Sequence, residues 1–122
     1  GSTTTVNFAL RPVSPTETGT IKFDVFNDVN KDGIKALNET GVDGAVVFTF
    51  ELLTAVPDVQ VTNSTGITTH SGLIPDVVLA QINAFVLPSG FNTITTANGG
   101  AEYITVTPNS TSTVQIGLAQ VP

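Results

Sequence analysis

Five residues of the stretch DVNKDGIKALNE have the chemical types and the spacing of a calcium-binding loop. Asp28, Asn30 and Asp32 occupy positions 1, 3 and 5 of the pattern and would offer side-chain oxygens. Position 7 is Ile34, which would bind through its backbone carbonyl, and position 12 is Glu39, which would close the shell with two carboxylate oxygens. Because every ligand is an oxygen atom and the loop is flexible, we expect Ca²⁺ as the cofactor.

The residues between the ligands support this interpretation. Gly33 at position 6 allows a sharp backbone bend, Ala36 at position 9 leaves a place for a water, and the Ile34 side chain is expected to point into the core. The alternative is a solvated, Asp-rich turn without metal, since Asp and Asn favour turns. Three carboxylates in one short loop repel each other, however. Lys31 and Lys35 offset this repulsion only in part, which favours the metal site.

Apolar residues alternate with polar ones on both sides of this loop. IKFDVF (21–26) precedes it and AVVFTFELL (45–53) follows it, so the loop connects two strands and not the two helices of a calcium sensor. Turn residues separate these segments from several others and indicate an all-β fold, an antiparallel, immunoglobulin-like β-sandwich of about seven strands. The further strands are expected at 59–62, 67–70, 77–86, 101–107 and 112–119.

One of these segments is ambiguous. VVLAQINAFV (77–86) fits a helix by periodicity alone. Its β-branched residues, the Pro-Asp before it and Pro88 after it favour a strand. We therefore expect a strand over 77–86.

The bulk composition excludes several classes of function. A formal net charge of −6 at pH 7 and a pI near 4.2 oppose binding to phosphate backbones, so no nucleic-acid partner is expected. No apolar run is long enough for direct insertion into a membrane. The chain has no cysteine and a single histidine, His70, whose strand-like surroundings favour a partly buried structural residue over a general base, so we expect no enzymatic activity.

The two ends of the chain are similar to each other. TTTVNFALRPV (3–13) and TSTVQIGLAQV (111–121) align without gaps at an offset of 108 residues (111 − 3). The similarity predicts that 1–18 contains the last strand of a preceding repeat and a linker, after an opening Gly-Ser typical of tag removal, and that 19–122 is the repeat itself. The alternatives are chance similarity, an extra edge strand of the same domain, or disorder.

The segment GTIKFDVFNDVNKDGIKALNETGVDGAVVFTF resembles the opening of the B-type repeats of serine-aspartate-repeat adhesins (SdrD-type B domains). The family pattern is a strand, an F-x-D-x-N-x-D-G-x5-E loop, a G-x-x-G turn and an apolar strand, matched at Phe26, Asp28, Asn30, Asp32, Gly33, Glu39, Gly41 and Gly44. The resemblance implies a calcium-stabilised, transthyretin-like (prealbumin-like) sandwich, as in collagen-adhesin B domains. His70 departs from the family, which usually has a core aromatic residue there.

Three functions remain open. The resemblance implies a rigid spacer or stalk repeat of an extracellular, cell-surface or matrix protein, with neighbouring repeats of the same chain as partners. The second hypothesis is a calcium-dependent filament, in which residues 3–13 of one subunit complete the sheet of an identical subunit, head to tail. The third is an adhesive module that binds glycans or host or matrix proteins, although Tyr103 and scattered Phe residues provide no aromatic platform.

Overall fold

The computed structural model describes residues 18–52 and 54–120. Within them, a short 3-10 turn at Ala97–Gly100 precedes the seventh strand, and no helix is long and apolar enough to cross a membrane. These residues form eight strands: β1 (Gly19–Asn27), β2 (Val46–Glu51), β3 (Val56–Val61), β4 (Ile67–Leu73), β5 (Val77–Ile82), β6 (Thr93–Ile94), β7 (Ala101–Thr105) and β8 (Thr111–Ala119).

The strands form two four-stranded sheets, which confirms the predicted all-β sandwich. One sheet has the order β4-β1-β8-β6 and the other β3-β2-β5-β7. The pairings are antiparallel except that of β1 with β8, which is parallel from the pair Thr20–Thr111 to the pair Asn27–Leu118. This pair departs from the expected antiparallel arrangement because the rest of the domain, and not a hairpin turn, connects the first strand to the last.

The core lies between the sheets and is built from alternate residues of each strand. On β1 the inward residues Ile21, Phe23 and Val25 are fully buried, as the period-two pattern predicts. β8 contributes its even-numbered residues, of which Ile116 and Leu118 are fully buried. Each large side chain removed from water contributes about 1.5–3 kcal/mol to stability, so these two central strands supply much of the core.

β2 has apolar residues on both faces, and the sequence alone does not determine which face is inward. Val47 and Thr49 face the core and are fully buried. Phe48 and Phe50 lie on the outer face of the second sheet and are half-buried there. Phe48 pairs with Val59 of β3, so this outer face is itself partly apolar.

Several strands differ in extent from the sequence-based expectation: β3 covers Val56–Val61 instead of 59–62, and β4 continues past 70 to Leu73. The segment 77–86 begins as a strand and not as a helix, but β5 ends at Ile82. It ends there because the chain turns at Asn83, whose side-chain Oδ1 accepts a hydrogen bond from the Phe85 N–H at 3.0 Å. β6 was not expected, since two residues between turns carry no period-two pattern.

Two glycines let the loops at one end of the sandwich approach closely. Phe26 forms an isolated β-bridge with Gly41, where a Cβ atom would overlap the Thr65 carbonyl. Gly66 has a φ of +79°, and a Cβ atom there would overlap the Val25 carbonyl oxygen. The Gly66 carbonyl accepts a hydrogen bond from the Val25 N–H at 2.8 Å, so the close approach is part of the strand pairing. Both positions therefore require glycine.

The expectations for the N-terminal segment are not tested by the described residues. The strand expected at 3–13 lies outside them, as does most of the linker that precedes β1. The division into 1–18 and 19–122 therefore stays a prediction.

Candidate metal centre

The loop that begins at Asp28 connects β1 to β2 at one end of the sandwich. Backbone hydrogen bonds close its base, where the Asn27 N–H donates to the Thr40 carbonyl at 2.8 Å. The Asp28 N–H donates to the Leu118 carbonyl at 2.8 Å, which ties the first residue of the loop to the last strand. Because β1 and β8 are the two central strands of their sheet, the loop starts from a firmly packed base.

The loop brings three carboxylates together. Asp28, Asp32 and Glu39 each offer an oxygen, and the three oxygens lie within 4.8 Å of one another. Asp28 is fully buried and Glu39 is 5% exposed, whereas Asp32 faces solvent. Buried carboxylates at this separation are unfavourable unless a cation balances their charge. Among residues 18–52 and 54–120, this is the one group of carboxylate, imidazole or thiolate ligands with such spacing.

One oxygen of Asp28 is buried without a hydrogen-bond partner of normal geometry, although the Thr95 hydroxyl lies close to this carboxylate. Asp28 Oδ2 accepts a hydrogen bond from the Gly33 N–H at 2.7 Å. Asp28 Oδ1 is buried and has no hydrogen-bond partner within the described residues. An unsatisfied buried acceptor costs about 1–3 kcal/mol, and more when it is charged. A cation beside this oxygen would remove that cost, so the residues of the loop fit a calcium ion.

Glu39 is held in place by the backbone of the loop. Its Oε2 accepts a hydrogen bond from the Val29 N–H at 2.8 Å, and its Oε1 accepts one from the Ala36 N–H at 2.7 Å. These bonds keep the carboxylate close to Asp28. Each oxygen retains further lone-pair capacity with which it can bind a cation.

The exposed half of the loop is organised around Asp32. Its Oδ1 accepts a hydrogen bond from the Ile34 N–H at 3.0 Å, and its Oδ2 accepts one from the Asn30 side-chain amide at 3.1 Å. The expectation that the Ile34 side chain points into the core is wrong, because this residue is 68% exposed. The hydrogen bonds of Asp28 and Glu39, and not an apolar anchor, attach the loop to the fold. The Ile34 carbonyl stays the predicted ligand at position 7.

Two opposing effects determine the charge state of Asp28. Burial by itself would raise the pKa of this carboxyl group. The Gly33 N–H and the nearby Thr95 hydroxyl, which makes no hydrogen bond of normal geometry, favour the charged form. Together with smaller effects from Glu39 and Asp32, they lower the pKa below its usual value. Asp28 is therefore a carboxylate at neutral pH.

Sequence reasoning missed two residues that pack against the loop from distant segments. Gly33 has a φ of +76°, as position 6 requires, and a Cβ atom there would lie 3.2 Å from the Thr95 carbonyl oxygen. The Thr95 N–H donates to the Gly117 carbonyl at 2.9 Å, which ties this segment to β8. A Cβ atom on Gly117 would lie 3.3 Å from Asp28 Cβ. No local pattern marks Thr95 or Gly117, because sheet pairing brings them to the loop.

Lys35 does not neutralise the loop. Its Nζ lies 2.9 and 3.1 Å from the two carboxylate oxygens of Asp24 on β1. The sequence suggested that Lys35 offsets part of the charge of the loop, but its ammonium group pairs with a carboxylate outside the loop. The three loop carboxylates keep more unbalanced negative charge as a result, which favours a bound cation.

The one histidine of the chain bridges the two sheets. His70 on β4 is fully buried, and its ring makes an edge-to-face contact with Phe23, with centroids 5.1 Å apart. Its Nδ1 lies 3.1 Å from Asp58 Oδ2 on β3, and its Nε2 lies 2.9 Å from Thr68 Oγ1. A neutral ring that donates from Nδ1 and accepts at Nε2 satisfies both contacts. The histidine thus occupies a core position, as the aromatic residue of the resembled family does.

The burial of His70 predicts a pH-dependent stability. Burial lowers the pKa of His70, and the Asp58 carboxylate opposes this only in part. Because the folded-state pKa lies below the unfolded-state value of 6.5, the unfolded chain binds more protons between the two values. The free energy of unfolding should therefore decrease as the pH falls through 6.5, by at most about 1.4 kcal/mol per pH unit. Thermal unfolding in chelator at a series of pH values measures this slope.

The control for this prediction is His70→Gln. The chain contains one histidine, so this variant has no group of that type left to titrate. Its stability should be nearly constant in the same pH range, whatever its absolute melting temperature. An equal slope in the variant would assign the pH dependence to carboxylates and contradict the prediction.

Similarity to known proteins is found among solved structures and not among sequences. No protein-family model matches the sequence, and no curated protein sequence matches it. Among solved structures, the Bacillus anthracis TIE protein matches with a TM-score of 0.64 at 14% identity, over 86% of this chain and 17% of that chain. The minor pilin GBS52 of Streptococcus agalactiae matches with a TM-score of 0.63 at 19% identity, over 87% of this chain and 46% of that chain. A mutant of the shaft pilin SpaA from Lactobacillus rhamnosus GG matches with a TM-score of 0.62 at 12% identity, over 86% of this chain and 52% of that chain.

These structures are all larger than the chain described here, which spans between 17% and 52% of their lengths. At identities of 12–19% the likeness extends to the fold alone. The chain therefore has the two-sheet β-sandwich fold that occurs as a domain in Gram-positive pilins and in the TIE protein.

Proposed function

We propose that the loop binds one calcium ion and that the ion stabilises a structural domain. The ligands are the side chains of Asp28, Asn30, Asp32 and Glu39 and the backbone carbonyl of Ile34. The observation that carries this proposal is Asp28 Oδ1, a buried carboxylate oxygen without a hydrogen-bond partner among the described residues, beside two further carboxylates.

The position of the loop supports a clamp rather than a sensor. The ion would join the end of β1 to the connection that leads into β2, and the Asp28 N–H already links this point to Leu118 of β8. A calcium sensor works by opening a pair of helices, and here the flanking elements are strands. Binding to the folded state alone raises the free energy of unfolding by mass action. An affinity of about 10⁻⁴–10⁻³ M, typical of extracellular calcium modules, suits this role.

The role of the whole domain is inferred from its fold and from the resemblance of its loop region to a known family. Two of the matching structures are a minor pilin and a shaft pilin, which are structural proteins of the bacterial surface. The resemblance of the loop region to SdrD-type repeats points to the same setting. We therefore propose a rigid extracellular or cell-surface module, without enzymatic function, that adjoins neighbouring repeats or identical subunits.

Calorimetric titration of calcium into the chelator-treated chain tests the site. We expect one bound ion per chain and strongly weakened binding in Asp32→Ala, which removes a side-chain ligand. Asp43→Ala is the matched control, because Asp43 is an exposed acidic residue outside the loop. Unchanged binding in Asp32→Ala, or equal weakening in both variants, would remove the loop from this function.

A second candidate function is a filament of identical subunits joined by strand exchange of residues 3–13. The observation that favours it is a strand edge on β8 that no described strand covers between Thr111 and Gly117. Light scattering of the intact chain in millimolar calcium and in chelator measures the molar mass of the assembly. A molar mass that grows in calcium and returns to that of a monomer in chelator supports the filament, whereas a monomer in both conditions supports a spacer.

A further inference from the structure

β8 is paired along its whole length on one side only. On that side β1 pairs with residues Thr111 to Leu118. On the other side β6 pairs with Leu118 and Ala119 only, and it does not reach the earlier residues of β8. Most of this second edge therefore has no partner strand within residues 18–52 and 54–120.

The main-chain groups of this edge alternate in direction. The Leu118 carbonyl faces β1, whereas the Gly117 carbonyl faces the other way and accepts a hydrogen bond from the Thr95 N–H at 2.9 Å. Thr113 and Gln115 share the alternation of Gly117, so their N–H and C=O groups point to the unpaired side. A row of such groups is a template for an added strand.

A groove of about 310 Å³ runs beside this edge. β8 forms one wall with Val114, Gln115 and Ile116, and the segment 96–102, at the start of β7, forms the other. The groove thus lies between the edges of the two sheets, where the sandwich is open. The Thr96 hydroxyl is buried in this wall and has no hydrogen-bond partner within the described residues. The site therefore offers an incoming strand the apolar surface of the groove and the main-chain groups of the β8 edge.

On the opposite side of the sandwich, the edge strands β3 and β4 are less able to accept an added strand. β3 carries Pro57 and the charged Asp58, which discourage strand addition. The Gln60 side chain donates to the Thr69 carbonyl of β4 at 2.9 Å, and His70 contacts Asp58 across the gap between the sheets. The edge of β8 is therefore the better acceptor.

The segment with the matching pattern is residues 3–13. Val6, Phe8 and Leu10 alternate with polar or small residues, as the buried residues of β8 do. We propose that residues 3–13 of a second copy add to the unpaired edge of β8 and turn these apolar side chains into the groove. This proposal rests on the filament function above and names its acceptor site.

The course of the chain argues for a second copy. The connection from β7 to β8 lies against the start of β1, since the Asn109 N–H donates to the Thr18 carbonyl at 2.9 Å. β1 and β8 are parallel and begin at the same end of the sheet, so a link as short as residues 14–17 would allow residues 3–13 of the same chain to add to β8 in one direction only. A second copy has no such constraint, and repetition of the contact gives an open, head-to-tail chain of subunits.

Engineered cysteines test the proposal without background, because the chain has none. Gln115→Cys places a thiol on the exposed side of β8, and Asn7→Cys places one at the equivalent alternation of the segment. The intact chain with both substitutions should form a ladder of disulfide-linked oligomers under mild oxidation. Peptide mapping should locate the bond between positions 7 and 115. Thr5→Cys and Ala9→Cys in place of Asn7→Cys cover the neighbouring registers.

Thr69→Cys on β4 provides the matched control, because β4 is an edge strand of the same sheet and Thr69 is exposed. If Gln115→Cys unfolds, as circular dichroism would reveal, Thr113→Cys probes the same edge. A bond inside a single chain would overturn the assignment to a second copy. No ladder in any register, or an equal ladder with Thr69→Cys, would overturn the acceptor edge.

Repetition of the cross-linking in chelator separates this proposal from the calcium site. A ladder in both conditions supports the acceptor edge, even if calorimetry shows no calcium binding. A ladder that forms only in calcium also supports it and links assembly to the loop, which lies beside Thr95, the residue that precedes the groove segment. Calcium binding without any ladder leaves the metal site intact and overturns the strand addition.

Discussion

Asp28→Asn should abolish the stabilisation of the folded chain by calcium. For the unmodified chain at a calcium concentration about 100 times the dissociation constant, bound ion adds about 2.7 kcal/mol to the free energy of unfolding. In a domain of this size that corresponds to a rise of roughly 10–15 °C in melting temperature. In chelator the two proteins should melt at similar temperatures. The amide oxygen of the variant would still accept the Gly33 hydrogen bond, and the loss of the contacts that favour the charged form would be offset by relief from burying a charge.

Thermal unfolding of both proteins in calcium and in chelator measures this difference. Asp43→Asn is the control, since it removes the same charge from an exposed turn outside the loop and should retain the full response to calcium. A variant at Asp28 that keeps the calcium-induced rise would show that Asp28 is not a ligand.

Gly66→Ala should destabilise the sandwich by at least about 3 kcal/mol, whether or not calcium is present. The new Cβ atom would overlap the Val25 carbonyl oxygen, and the φ of +79° is unfavourable for alanine. Relief of the overlap would break the hydrogen bond from the Val25 N–H to the Gly66 carbonyl. Chemical denaturation of the variant and of the unmodified chain gives the difference.

Gly72→Ala is the matched control for the backbone conformation. Gly72 has a φ of +71°, but a Cβ atom there would have open space within 4 Å. In this variant the free energy of unfolding should decrease only by the cost of the left-handed conformation, about 1–2 kcal/mol. Equal losses in the two variants would show that the backbone angle, and not the close approach of the loops, makes Gly66 necessary.

The parts of this fold that the sequence predicts depend on local patterns. β1 and β8 bury alternate residues such as Phe23 and Ile116, and this period of two is visible without a structure. The three carboxylates of the loop meet because the positions of Asp28, Asp32 and Glu39 in a tight loop decide where their oxygens lie.

The parts that the sequence does not predict depend on contacts between distant segments. The parallel pairing of β1 with β8 and the approach of Thr95 to the loop are decided by the order of strands in the sheet. β2 has apolar residues on both faces, so the structure was needed to show that the face with Val47 is the inward one. Ile34 was expected in the core because it is apolar, but polar contacts anchor the loop and leave this side chain in solvent.

The parallel pairing of β1 and β8 has a mechanical consequence. These are the first and last described strands, and they are neighbours over the register from Thr20–Thr111 to Asn27–Leu118. A pulling force applied at the two ends of the domain acts along the strands in opposite directions and loads their hydrogen bonds in shear. The bonds must then rupture together, whereas a hairpin pulled from its open end unzips one pair at a time. Because forced unfolding is governed by the unfolding barrier, the domain should carry tension well within a chain of linked subunits.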